Sequence, residues 1–165
     1  MKPLRWLEHL LLPDWWLRRV FSKADLAAIG EAVTAGEKLH RGELRFVVEG
    51  AMPLSALWRD LSPRARAAEL FATLRVWDTA ENSGVLIYVQ LVDRRVEILA
   101  DRGIAAQVAQ AEWDAICRGM EQSFGEGRWR QGALQAVARA GDLLAAHFPA
   151  GEHNPNELPD QPVVL

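Results

Sequence analysis

Hydrophobic residues in this chain switch between a helical repeat and a strand repeat, and the switches mark its elements. Ser22-Lys-Ala-Asp25 reads as an N-cap with an acid at the third helical position, so cap hydroxyl and carboxylate can each satisfy an end N–H of the other. Leu26, Ile29 and Val33 share one face of the helix that follows, and Gly36 to Gly42 loosens its end. Gly42 to Glu49 alternates, with Leu44, Phe46 and Val48 on one side, which predicts a strand buried mainly on that side. A helical turn fits Leu54–Trp58 within the connection from Gly50 to Asp60.

Ser62-Pro63 is a cap followed by proline at the first helical position. Ala67, Leu70, Phe71, Leu74 and Trp77 then repeat at helical spacing, so the helix is expected to run to about Trp77. Val85–Leu91 is apolar on both faces, as a central strand covered by helices should be. Strand, helix, strand in this order implies a right-handed crossover joining two parallel strands. Asp93-Arg94 makes a turn, and Arg95–Asp101 returns as a more openly alternating strand nearer a sheet edge. Trp113, Ile116, Cys117, Met120 and Phe124 mark one later helix, ended by Gly125. Leu134, Val137, Gly141, Leu144 and Phe148 mark another, stopped by Pro149. The fold class that follows is a single α/β domain: a small mixed β-sheet, built from a right-handed β-α-β crossover and a β-hairpin, with helices on both faces.

Two flanking segments stand apart from the domain at 22–149. Residues 1–21 carry Trp6, Trp15 and Trp16 among leucines, with Lys2, Arg5, Arg18 and Arg19 beside them, and Pro13 divides them into two short pieces. Basic residues around tryptophans suit an interfacial membrane helix. They also suit an arm that packs on the domain or on a second subunit, the reading that the shortness of each piece favours. The tail at 150–165 holds three prolines and two asparagines in its last fifteen residues and ends Pro-Val-Val-Leu. It is expected to be extended and ordered only where it docks.

Composition narrows the function classes. The chain has 165 residues, half of them hydrophobic (50%) and a quarter charged (25%), the profile of a folded globular domain. A net charge of −3 gives no basic footprint for nucleic acid. The single cysteine, Cys117, admits no internal disulfide. The apolar start is interrupted by Glu8 and His9 and is followed by no small-residue cleavage site, so a cytoplasmic protein is the simpler expectation.

Catalytic motifs are scarce. Gly84 and Gly103 stand alone, and His9, His40, His147 and His153 fall at no metal-ligand spacing. Oxygen ligands are the one chemistry in good supply. If the second and third strands form a hairpin, the loop holding Asp78, Glu81 and Asn82 lies beside Asp101 and Arg102. Carboxylates, an amide carbonyl and loop carbonyls suit calcium or magnesium, and Arg102 could contact a phosphate oxygen. The same residues also read as loop, capping and surface-pair residues. A second acidic set, Glu37, Glu43 and Glu49, lies about the first strand with Glu49 at the sheet end that holds Asp93. Solvated strand ends account for it.

Several segments, taken together, resemble one family. Glu37 through Gly42-Glu-Leu-Arg-Phe-Val-Val, Leu70-Phe71, Asn82-Ser-Gly-Val-Leu-Ile-Tyr, Asp93-Arg-Arg-Val-Glu-Ile, Asp101-Arg-Gly-Ile and Phe124-Gly-Glu-Gly-Arg-Trp-Arg-Gln-Gly132 are similar to the TPM domain. That family includes a thylakoid-lumen protein of photosystem II repair and many bacterial membrane-tethered or secreted proteins. The resemblance implies an α/β sandwich. It also implies acid phosphatase activity in some members, divalent-cation binding near acidic loops in others, and association with LemA-type membrane proteins. By position, the acidic loop before Gly84 and the Asp101-Arg102 strand end are the matching places. The chain is expected to depart from the better-known members in having no leader or anchor, and its loop Trp77-Asp-Thr-Ala-Glu-Asn lacks the glycine richness common there.

The leading expectation is a non-catalytic TPM-type domain that binds a partner or a cation, cytoplasmic and peripheral at the inner membrane face. Its metal would be calcium or magnesium on Asp78, Glu81, Asn82 and Asp101. The alternatives are a divalent-cation-dependent phosphatase acting through Asp78, Asp101 and Arg102, and an oligomerisation module using residues 1–21.

Overall fold

The computed structural model describes residues 3–152 and 154–165, without the side chains of residues 3, 4 and 14. Lys2 and His153, both considered above, lie outside the described residues. The sheet is organised by its most apolar segment. β2 (Gly84–Gln90) is buried along its whole length, so its backbone groups must be satisfied by strands on both sides. β1 (Glu43–Glu49) pairs with it in parallel, from Glu43 opposite Gly84 to Glu49 opposite Gln90. β3 (Arg95–Ala100) pairs antiparallel through the hairpin and forms one edge, as its open alternation implied.

The other edge was not legible as a strand. β4 (Val163–Val164) joins β1 in parallel and completes the order β3-β2-β1-β4. Leu165 N–H donates to the Val48 carbonyl at 2.9 Å, and Gly50 N–H donates to that of Leu165 at 2.9 Å. A two-residue strand carries no periodicity of its own; the open edge of β1 organises it.

Helices cover both faces unequally. α3 (Lys23–Glu37), α7 (Gln110–Gly125) and α8 (Trp129–His147) bury Ile29, Val33, Trp113, Ile116, Met120 and Leu144 against Phe46, Val48, Ile87, Val89 and Ile98. α5 (Pro63–Thr73) covers the opposite face, where Ala67 and Leu70 meet Val47, Leu86 and Tyr88. The caps form as the sequence implied. Asp25 N–H donates to Ser22 Oγ at 3.2 Å and Ser22 N–H to Asp25 Oδ2 at 3.0 Å, while Ser62 Oγ accepts from Ala65 N–H at 3.1 Å. α5 ends at Thr73 rather than near Trp77. Arg75 takes a left-handed backbone (φ 56°), and Val76 N–H closes back on the Phe71 carbonyl at 3.0 Å. Val76 therefore enters the core and Trp77 is left half-exposed. Cys117 is a core thiol on α7, and burial pushes it up to about 12.

Residues 3–21 fold onto their own domain. α1 (Pro3–Leu11) sends Arg5 to Asp93, with Nε and Nη2 each donating to a carboxylate oxygen at 2.8 Å. Burial alone would raise the Asp93 carboxyl, but the Arg5 guanidinium holds it well below the usual range. His9 Nδ1 accepts from Met52 N–H at 3.0 Å. From α2 (Asp14–Val20) and the next residue, Leu17, Val20 and Phe21 enter the main core. The connection after β1 holds α4 (Leu54–Trp58), whose Trp58 meets Trp6 edge-on at 5.1 Å between centroids.

The second acidic set departs from its solvated reading. Glu37, Glu43 and Glu49 are 8%, 3% and 1% exposed. Glu49 is charge-compensated: Arg66 Nη2 donates to Oε1 at 2.6 Å and the Tyr88 hydroxyl to Oε2 at 2.6 Å. The C-terminal tail closes over Glu43 and α5 over Glu49, at strand ends that sequence patterning leaves open.

Candidate functional site

Two regions hold chemistry-bearing side chains, and they lie on different features of the same sheet end. The first is the loop before β2. Asp101 N–H donates to the Gly84 carbonyl at 2.8 Å, and Gly103 N–H to that of Asn82 at 3.1 Å. Asn82 is left-handed at φ 53°, a backbone its side chain tolerates better than most. A Cβ on Gly103 would lie 2.5 Å from the Glu81 carbonyl oxygen and 2.6 Å from that of Asn82, so two carbonyls crowd this glycine. Asp101 caps the short helix α6 (Arg102–Ala105), its Oδ1 accepting from Arg102 N–H at 2.7 Å. Its Oδ2 is buried with no hydrogen-bond partner. Arg102 Nε donates to Asn82 Oδ1 at 3.0 Å.

The structure thus brings Asn82, Asp101 and Arg102 together. Asp78 and Glu81 are engaged by arginines instead. Arg75 reaches Asp78 at 2.6 Å, and Arg41 Nη1 donates to both Glu81 oxygens at 2.8 Å. Positive and negative side chains are therefore nearly balanced around this loop.

The second region is a cavity of about 420 Å³ between the end of α3, the start of β1 and the C-terminal tail. Glu37, Glu43 and Asp160 line it with Thr34, Asn154 and Asn156. Glu37 Oε1 accepts from Leu44 N–H at 2.9 Å, but its Oε2 is buried with no hydrogen-bond partner. Burial, with the charges of Glu43 and Asp160 added, pushes the Glu37 carboxyl up to about 8, against the opposing Leu44 N–H. Burial also raises Glu43, although its Oε2 accepts from Leu158 N–H at 2.9 Å and Glu157 N–H at 3.1 Å. Asp160 accepts from the Thr34 hydroxyl and from Asn156 Nδ2, the latter at 2.6 Å. Asn154 Nδ2 fixes the tail by donating to the Glu37 and His40 carbonyls at 2.7 and 2.9 Å. His40 is buried with Nδ1 2.9 Å from the Gly42 carbonyl, and burial lowers its ring below the usual histidine range.

A cleft holding a buried, strongly perturbed carboxylate such as Glu37 is where functional chemistry concentrates. One member of this cluster had a readable signal. Glu37 continues the buried Ile29–Val33 stripe by one more turn of α3, and a carboxylate on an apolar stripe marks a special environment. Asp160 and Asn154 had none, because they arrive on an irregular tail. Among the described residues, no three His, Cys, Asp or Glu side chains are grouped closely enough to enclose a bare metal ion.

The family model of the TPM domain matches residues 17–143, from α2 through most of α8. This chain belongs to the TPM domain family. The TPM match takes in Glu37, Glu43, the 78–82 loop and Asp101, and leaves out Trp16 and the tail residues Asn154 and Asp160. Among solved structures, the chain is similar to the BA42 protein of the psychrophilic bacterium Bizionia argentinensis. The two share 28% identity at a TM-score of 0.77, over 88% of this chain and 95% of that one. It shares its fold with the N-terminal domain of a protein from P.gingivalis, at 18% identity and a TM-score of 0.66, over 81% and 83% of the two chains. No curated protein sequence matches the chain.

Proposed function

We propose that this TPM domain is a non-catalytic binding module whose ligand is a hard divalent cation. The observation that carries the reading is the tail-closed cavity, where Glu37 Oε2 is buried without a partner beside Glu43 and Asp160. Its carboxylates, hydroxyl and amides are the groups that calcium and magnesium take, and Lys38 adds an ammonium to the wall. Among the described residues no three such side chains form a group that could hold a bare ion, which favours an ion that keeps part of its water shell, as magnesium does. Glu37, Glu43 and Asp160 would hold it, and its charge would relieve their mutual repulsion. The loop set of Asp78, Glu81, Asn82 and Asp101 is the second candidate, resting on the unpartnered Asp101 Oδ2. Phosphate-ester hydrolysis by Asp78, Asp101 and Arg102 draws less from the geometry, since Asp78 is held by Arg75.

Titrating the ¹⁵N-labelled protein with magnesium and with calcium tests this reading. Amide shifts are expected at residues 34–44 and 154–160, and Asp160→Asn should weaken binding about tenfold, roughly 1.4 kcal/mol. Shifts confined to 78–84 and 101–103, weakened by Asp101→Asn, would move the ion to the loop; asparagine retains the helix cap there. No shift with millimolar amounts of either ion would overturn cation binding.

A separate observation favours contact with a lipid surface. Leu7, Leu10 and Leu11 on α1 and Leu54 and Trp58 on α4 are all more than half exposed, and the Trp6–Trp58 contact joins the two helices. Arg18 and Arg19 lie exposed on α2 nearby in the chain. Leucine and tryptophan beside arginine suit an anionic bilayer interface; among the described residues, no helix is long and apolar enough to cross a membrane. The full chain is expected to co-sediment with phosphatidylglycerol-containing vesicles and Leu11→Gln/Trp58→Gln to lose most of that binding. Wild-type protein remaining in the supernatant would end the idea. Deleting the arm is a poorer probe, because Leu17, Val20 and Phe21 would leave the core with it.

A further inference from the structure

The opposite end of the sheet carries a second cavity, with another chemistry. It encloses about 350 Å³ beside Val89, Gln90 and Leu91, where β2 ends. Open α/β sheets characteristically bind ligands in crevices outside the carboxyl ends of their strands. Its walls are Trp16 from α2, Phe124 at the end of α7 and Trp129 at the start of α8. Phe124 and Trp129 stand 4.7 Å apart between centroids with their planes at 34°, and Trp16 meets Trp129 edge-on at 6.5 Å. The aromatic surfaces are therefore held in place by one another before any ligand arrives.

The rim is polar and unevenly charged. Glu121 Oε1 is occupied, accepting from Val96 N–H at 2.9 Å with Arg95 Nε at 3.7 Å. Arg94 is exposed and has no acidic partner among the described residues, and it occupies the left-handed region at φ 52° in the hairpin turn. The left-handed residue closes the hairpin turn, and the guanidinium it carries stands at the cavity mouth. A more open groove beneath α1 continues from this mouth and shares Trp16, Leu91 and Arg94.

We propose that this cavity binds a small aromatic carboxylic acid, its flat body among Trp16, Phe124 and Trp129 and its carboxylate on Arg94. Aromatic walls favour an offset or edge-on ring, and a guanidinium fork matches a carboxylate. The volume lies near the small end of ligand sites, which suits a one- or two-ring acid and leaves no room for a folded peptide segment. The site is separate from the cation cavity, and neither depends on the other.

The test compares 2-naphthoate with its neutral amide, 2-naphthamide, on the full chain, followed by the indole N–H resonances of Trp16 and Trp129. Naphthoate is expected to shift both and to bind at least about tenfold more tightly than the amide, the preference an arginine–carboxylate contact gives. Arg94→Asn, a residue that tolerates the left-handed backbone, should erase that preference and leave amide binding unchanged. Equal binding of acid and amide by the wild type, shifts mapping away from the two indoles, or an undiminished preference in Arg94→Asn would each overturn the proposal.

Discussion

Gly84→Ala is expected to abolish stable folding, a loss above about 4 kcal/mol, the range that backbone strain and overpacking reach together. A Cβ at Gly84 would lie 1.9 Å from the Val76 carbonyl oxygen and 2.9 Å from its carbon. Both are main-chain atoms, so no rotamer change relieves the overlap. Val76 cannot retreat easily, because the left-handed turn at Arg75 and the bond to Phe71 fix it. Gly84 is equally constrained: it opens β2 opposite Glu43, and its carbonyl accepts from Asp101. Urea unfolding followed by circular dichroism measures the effect. Gly125→Ala is the control, since a Cβ there meets no atom within 4 Å, and it should change stability by less than ~1 kcal/mol. A wild-type midpoint for the Gly84→Ala variant would show that the close approach is not a constraint.

Arg66→Ala should cost about 3–5 kcal/mol, the usual effect of leaving a buried charge without its partner. Glu49 is 1% exposed. It is held by Arg66 through Nε and Nη2 and by the Tyr88 hydroxyl at 2.6 Å. Burial and the adjacent Glu49 charge push the Tyr88 hydroxyl far above its usual range, so it serves as a donor at every ordinary pH. Tyr88→Phe removes one bond and leaves the ion pair, and about 1–2 kcal/mol is expected. Replacing the pair together, Glu49→Leu with Arg66→Met, should recover most of the Arg66→Ala loss, because no unpaired charge remains. Denaturant midpoints on the single and double variants give the coupling. If Arg66→Ala cost less than ~1 kcal/mol, the pair would be solvent-compensated and the burial of Glu49 would have to be reconsidered.

These two positions also show what a residue pattern conveys and where it stops. The caps at Ser22 and Ser62 are local, satisfying end N–H groups within a few residues, and they were legible for that reason. So were the crossover, the hairpin and the edge position of β3, since strand alternation and connection handedness are short-range rules. The end of α5 was misplaced by four residues because Leu74 and Trp77 keep helical spacing. The chain leaves the helix there to bring Val76 under Gly84, a contact with a residue eight positions onward.

The loop set was half legible. Hairpin pairing places Asn82 beside Asp101, but the partners of Asp78 and Glu81 depend on where Arg75 and Arg41 point. The tail is the extreme case. Val163 and Val164 have no strand signal, and Asp160 and Asn154 no site signal, until the free edge of β1 and the floor at Glu37 receive them.

By itself, then, the sequence determined the α/β class, the direction of the three long strands and the principal caps. All of these follow from interactions between near neighbours or from the parity and handedness of regular elements. Tertiary structure alone decided which carboxylates are buried, which arginines answer them, and which aromatic rings enclose the cavity beside Arg94. Burial and pairing depend on what distant segments deliver to the same place, and the tail and arm deliver their residues, from the two ends of the chain, to opposite ends of one sheet.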